Sequence, residues 1–125
     1  MALKTKCILS NITPEDGLRI SVMRTYDQKK HPEYKNVDQE WPDLGPSYDL
    51  IDQYFNGGIS WDQYVEQYEK EVLVGQVDRV KKLAALAKAQ DVTILCLEDT
   101  PEFCHRKLLA EACVQHEPEL KVMLK

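Results

Sequence analysis

The sequence predicts a small α/β domain, with a short, largely parallel sheet and flanking helices in the order β-β-α-α-α-β-α-β. Three observations predict it. Val92-Thr-Ile-Leu-Cys-Leu97 is a short apolar run rich in β-branched residues, the pattern of a buried strand. The next stretch, Glu98-Asp-Thr-Pro-Glu102, turns acidic and then offers a threonine–proline helix start. Ahead of both, residues 47–87 carry apolar side chains at helical spacing, interrupted by glycines. Strand, turn and helix start in succession is where open α/β sheets place their ligands.

Taken in order, residues 5–9 and 18–23 are expected as strands, joined by the turn-rich Asn11-Ile-Thr-Pro-Glu-Asp-Gly17. That link is shorter than the dozen or so residues of a parallel crossover, so as neighbours these strands would pair antiparallel. Residues 24–46 are polar and irregular, with Pro32, Pro42 and Pro46 beside Tyr26, Tyr34 and Trp41, and are expected as an ordered lid. Ser47 caps a helix through Leu50, Ile51, Tyr54 and Phe55 that Gly57-Gly58 stops. Ser60-Trp-Asp-Gln63 is a capping box with Ile59 and Tyr64 as its staple, and opens a second helix ending at Gly75. Val77, Val80, Leu83, Ala84, Leu86 and Ala87 outline a third. A fourth runs from Thr100-Pro101 to about Gln115, and residues 120–124 alternate as a last strand. The links from Met23 to Val92 and from Leu97 to Leu120 are both long enough for right-handed parallel crossovers. These would bring Arg24, Glu98, Asp99 and the fourth helix start to one carboxyl edge, beneath the 24–46 loop.

A chain of 125 residues suits one domain and buries roughly two-thirds of its unfolded surface, enough for a core without staples. Its 43% hydrophobic and 30% charged residues are ordinary for a soluble protein. No apolar run reaches the roughly 20 residues of a membrane span, and residues 1–10 are too weakly apolar for a signal peptide. A cytoplasmic location and no membrane partner are therefore expected. A net charge of -5 argues against general nucleic-acid binding, which needs a basic face. Cys7, Cys96, Cys104 and Cys113 form no C-x-x-C pair, so four thiols in reducing surroundings are expected. His31, His105 and His116 lack metal-ligand spacing, and neither a metal nor a cofactor is expected. The absence of G-x-G-x-x-G, G-x-x-x-x-G-K-[ST] and G-x-S-x-G removes the usual support for nucleotide binding and serine hydrolysis.

Chemistry-bearing residues gather at Cys104-His-Arg106. On a helix opening at Pro101, His105 shares the apolar face with Leu108, Leu109 and Ala112, while Cys104 and Arg106 border it. Sequence neighbours diverge by about 100°, which disfavours a direct Cys104–His105 dyad unless the helix begins a turn later. Cys104 is a candidate nucleophile if the helix start and a nearby arginine lower its pKa. Packed beside the core near Glu98, Asp99 and Glu102, it is an inert thiol instead. His105 is either an acid–base group or a buried histidine tying the 98–99 turn to the helix. Arg106 suits an anion at a helix start, or an ion pair with Glu98 or Glu102. Arg24, after a strand, reaches the same edge and suits an anion or Asp99. Glu98, Asp99 and Tyr26 are supporting candidates. Trp41, Trp61, Tyr54 and Tyr64 are expected as core and lid packing, and residues 66–71 as a solvated helix face. Two functions follow. One is an anion-binding, thiol-dependent catalytic site of Cys104, His105, Arg106 and Arg24 with a small anionic ligand. The other is a non-catalytic binding module in which Cys-His-Arg locks a turn.

Three segments carry a family likeness: Glu15-Asp-Gly-Leu-Arg-Ile-Ser-Val-Met-Arg24, then Leu44-Gly-Pro-Ser-Tyr-Asp-Leu50 with Ile59-Ser-Trp-Asp-Gln-Tyr64, and Cys96-Leu-Glu-Asp-Thr-Pro-Glu-Phe-Cys-His-Arg106. With them the chain resembles the YeaO-like proteins of the domain-of-unknown-function family four-eight-eight. The last segment is the most specific, matching that family's Cys-x-Glu-x-x-Pro-Glu-x-Cys-His-Arg signature. The resemblance implies a single domain of that family over residues 1–125, and it carries no activity. One departure is the Thr-Tyr-Asp after Arg24, where YeaO-like members tend to have Trp-Pro-Arg-Gly.

Overall fold

The apolar run at Val92 forms the middle strand of a five-stranded sheet in the computed structural model, which describes residues 2–24, 37–96 and 104–124. The strands are β1 (Ala2–Cys7), β2 (Leu18–Ser21), β3 (Gln39–Glu40), β4 (Val92–Cys96) and β5 (Lys121–Met123). Their order is β3-β2-β4-β1-β5, and every pairing is parallel. The helices are α1 (Tyr48–Phe55), α2 (Trp61–Tyr68), α3 (Val77–Ala89) and α4 (His105–His116). The element order expected from the sequence is present, with β3 as an addition inside the 24–46 stretch.

Side-chain alternation sorts the sheet into two faces. Leu3, Ile20, Val22, Val92 and Ile94 join one buried cluster with Leu50 of α1, Tyr64 and Tyr68 of α2, Leu83 of α3 and Leu109 of α4. Each fully buried aliphatic side chain there contributes about 1.5–3 kcal/mol of transfer free energy. The opposite face is polar apart from Leu95, which packs with Ile8 and Met23. Lys4 and Lys6 reach from β1 to the backbone carbonyls of Glu15 and Asn11, and the Thr93 hydroxyl donates to the Asp16 carbonyl at 2.7 Å. The 8–17 segment therefore crosses the sheet on this side.

That crossing corrects the antiparallel expectation for the first two strands. They are not neighbours: β4 lies between them and pairs in parallel with both. The link is short, but it needs only to run back along the sheet over one intervening strand, held down by the lysines. Right-handed connections that advance in one direction share a face, and one that steps back uses the other. Accordingly β3→β4 and β4→β5 use the helical face, and β1→β2 uses the polar one.

Local signals set the helices. Ser47 Oγ accepts from the Leu50 amide at 3.2 Å and caps α1. Ser60 and Gln63 complete the capping box of α2, with bonds of 3.2 and 2.9 Å. The chain then widens into a π-helical stretch, Glu69–Val74, before Gly75. Within the run expected as a solvated face, Glu71 instead accepts from the Ser47 amide and hydroxyl at 3.0 and 2.9 Å, joining that stretch to the start of α1.

At Gly17 the chain turns into β2 with φ 64°, and a Cβ there would lie 2.3 Å from the Asp91 carbonyl oxygen. Both the left-handed backbone and the contact exclude a side chain. Gly17→Ala is expected to cost about 2–3 kcal/mol, read as a lower urea midpoint with an unchanged slope.

Candidate functional site

β4 ends at Cys96, and α4 is entered at Cys104, whose backbone is extended (φ -134°, ψ 143°) as the N-cap. The helix thus starts at His105, one turn later than expected. Thr100 and Pro101, which suggested the earlier start, lie outside the described residues, as do Glu98, Asp99, Tyr26 and His31. A tertiary bond fixes the first turn in place of local propensity: His105 Nε2 lies 2.7 Å from the carbonyl oxygen of Val22, just past β2. Because Cys104 is extended, its side chain leaves the helical wheel. Its sulfur sits 4.0 Å from His105 Nδ1, so the divergence expected between these two residues does not occur.

Cys96 joins them. Its sulfur lies 3.7 Å from the same Nδ1, and the three side-chain donor atoms lie within 4.8 Å of one another. A backbone carbonyl can only accept, so His105 Nε2 must carry a proton and donate to Val22. In the neutral imidazole, Nδ1 then holds the lone pair, aimed at two sulfurs. All three residues are buried, at 3% exposure for Cys96, 2% for Cys104 and 5% for His105. The Tyr68 ring packs 5.6 Å from the imidazole, and its hydroxyl donates to the Leu44 carbonyl at 2.7 Å.

Arg106 is fully buried, and its Nη1 donates to Cys104 Sγ at 3.5 Å. The Cys104 thiol is pushed up by its hydrogen bond with Cys96 and by burial, against the lowering influence of His105, so it holds its proton in this closed arrangement. Cys113, buried deeper along α4, is pushed up to about 12 by burial. All four cysteines are thiols.

Arg24 is directed elsewhere. Its Nη2 and Nε donate to the carbonyls of Gly45 and Pro46 at 2.9 and 3.3 Å, and Nη1 lies 3.8 Å from Asp43. Gly45 permits this approach, since a Cβ there would meet the Arg24 amide nitrogen at 2.4 Å. His116 is exposed at the far end of α4.

The cluster's position follows from topology. β1 and β4 are neighbours whose onward connections leave on opposite faces, which makes their carboxyl ends a switch point of the kind that binds ligands in open α/β sheets. Cys7 and Cys96 are register partners there. Cys96 is absent from the site residues expected from the sequence, although it opens the Cys-x-Glu-x-x-Pro-Glu-x-Cys-His-Arg segment. Its place at the carboxyl end of the predicted strand, eight residues before Cys104, is the other signal.

Residues 3–117 match a family model described as the "Active DUF488-N3 subclade". No curated protein and no solved structure matches the chain. The matched span runs from β1 through α4 and so contains the entire cluster. Among the described residues, no helix is long and apolar enough to cross a membrane.

Proposed function

This chain belongs to the DUF488 family, and we propose that its carboxyl-edge cluster is a thiol-dependent catalytic site for a small anionic substrate. One observation carries this reading: His105 is held by the Val22 carbonyl with its Nδ1 facing the Cys104 and Cys96 sulfurs. A base fixed in one tautomer beside a thiol is the arrangement that activates a nucleophile without prior ionisation. The Cys104 proton passes to His105 Nδ1 as sulfur bonds to an electrophilic carbon of the substrate, and the imidazolium returns that proton to the departing group. Arg106, already donating to Cys104 Sγ, stabilises charge at sulfur and on an anionic substrate. Arg24 contributes only by giving up the Gly45 and Pro46 carbonyls. Because Cys104 is 2% exposed, substrate entry requires local opening of this edge. Four thiols suit the reducing cytoplasm, and a net charge of -5 favours a small ligand over nucleic acid.

Alkylation tests the reading with an internal control. Iodoacetate, applied to metal-stripped folded protein and mapped by mass spectrometry, is expected to label Cys104 at least about tenfold faster than Cys113, which is buried without a base. His105→Ala should bring the two rates together. Equal rates in the unsubstituted protein would end the nucleophile assignment.

A second reading is favoured by the same 2.7 Å bond, which joins α4 to the end of β2 inside the core. As a turn lock in a binding module, the cluster would lose stability with His105→Ala, and Cys104→Ser would change nothing measurable.

A further inference from the structure

We propose that Cys96, Cys104 and His105 form a binding site for a thiophilic divalent cation, zinc, these three being its ligands among the described residues. The donor set is the first argument. Two sulfurs and one imidazole nitrogen, the three donors found among the described residues, suit zinc. Distances are the second. Zn–S of about 2.3 Å and Zn–N of about 2.0–2.1 Å place tetrahedral ligand atoms about 3.6–3.8 Å apart. Here Nδ1 is 3.7 Å from Cys96 Sγ and 4.0 Å from Cys104 Sγ, and every pair lies within 4.8 Å. Closing on a metal takes shifts of a few tenths of an ångström at the Nδ1–sulfur pairs.

The surroundings of the ligands supply the third argument. Metal-bound histidines usually donate their other ring nitrogen to a carbonyl or carboxylate, which fixes the tautomer and aims the lone pair. The Val22 carbonyl does this for His105. Arg106 Nη1, 3.5 Å from Cys104 Sγ, supports thiolate charge at that ligand. Binding displaces the two thiol protons to solvent, so the two thiolates balance the cation's charge, and the buried position costs no net unpaired charge. Burial on all sides also keeps competing water from the site.

This inference rests on the reading of the cluster as a chemical site, and it gives Cys104 the role of ligand whenever the metal is bound. A bound zinc would then polarise an anionic substrate's oxygen as a Lewis acid. Cys96 separates the two ideas, since the nucleophile does not need it and the metal does.

The test is a zinc chloride titration of the reduced full chain against a chelating indicator, with cobalt(II) absorption as a second readout. One equivalent per chain is expected, with the thiolate charge-transfer and visible bands of tetrahedral cobalt. Cys96→Ser and Cys104→Ser should each weaken binding more than about 100-fold, and Cys113→Ser should leave it unchanged. Absence of stoichiometric binding, or binding that survives Cys96→Ser, would overturn the site. Alkylation of the metal-stripped protein fails or succeeds separately. Zinc binding without His105-dependent labelling keeps the metal and removes the nucleophile, and the reverse outcome removes the metal alone.

Discussion

Replacing Asp16 with alanine is expected to destabilise the protein by about 3–5 kcal/mol. Asp16 is 2% exposed and sits between two cations, Lys6 of β1 at 2.9 Å and Arg19 of β2. Its carboxylate also accepts from the Thr13 amide and hydroxyl at 3.2 and 3.0 Å. One side chain thus fastens the 8–17 crossing to strands on both sides of β4. Removing it leaves the buried Lys6 and Arg19 without this carboxylate, and leaving buried charge uncompensated is what makes breaking such a pair costly. Asp16→Asn keeps the shape and should cost less. Urea denaturation at neutral pH measures both.

The same group gives the acid limb of the stability curve. Burial raises the Asp16 pKa, but the Lys6 hydrogen bond and the two Thr13 bonds more than offset it, lowering the value from 3.8 to about 2. A carboxyl depressed by folding stabilises the native state above its unfolded pKa, and that contribution is lost as pH falls through the folded one. About 2 kcal/mol should therefore disappear between pH 4 and pH 2. The loss should be absent from that window in Asp16→Asn.

His105→Ala carries the second large effect, an expected loss of about 2–4 kcal/mol. It leaves the buried Val22 carbonyl without its donor and opens space beside the Tyr68 ring. Thermal or urea unfolding reads the loss. Cys104→Ser should stay within about 1 kcal/mol of the unsubstituted protein, because it keeps a small group at the N-cap. A large loss in both variants would mean that the cluster is held together mainly as core.

How much of this was legible depends on whether the causes were local. The β-branched run at Val92 and the Ser60–Gln63 capping box are local patterns, and both became the elements they signal. The arrangement of the first two strands was not, since it rests on Lys4, Lys6, Arg19 and Asp16 meeting across the sheet, and long-range polar contacts leave no period in the sequence. β3 escaped notice because Gln39 and Glu40 are exposed, polar and only two residues long. The helix start was misplaced for a related reason. A threonine–proline pair is a local signal, whereas the bond that sets the first turn of α4 comes from Val22, just past β2. Cys104, His105 and Arg106 could be picked out as neighbours in sequence, while Cys96 entered the cluster only once β4 and α4 were placed together.

Both the catalytic and the metal-binding readings depend on which nitrogen of His105 carries the proton. Long-range nitrogen–proton correlation spectra of protein labelled with 15N in its histidines report that directly. Reduced, metal-free His105 is expected as the Nε2–H tautomer, with an Nδ1 shift typical of a bare lone pair. Adding zinc should move that Nδ1 resonance and leave Nε2 protonated on Val22. A proton found on Nδ1 with Nε2 bare would overturn both readings, because the lone pair would then face away from both sulfurs.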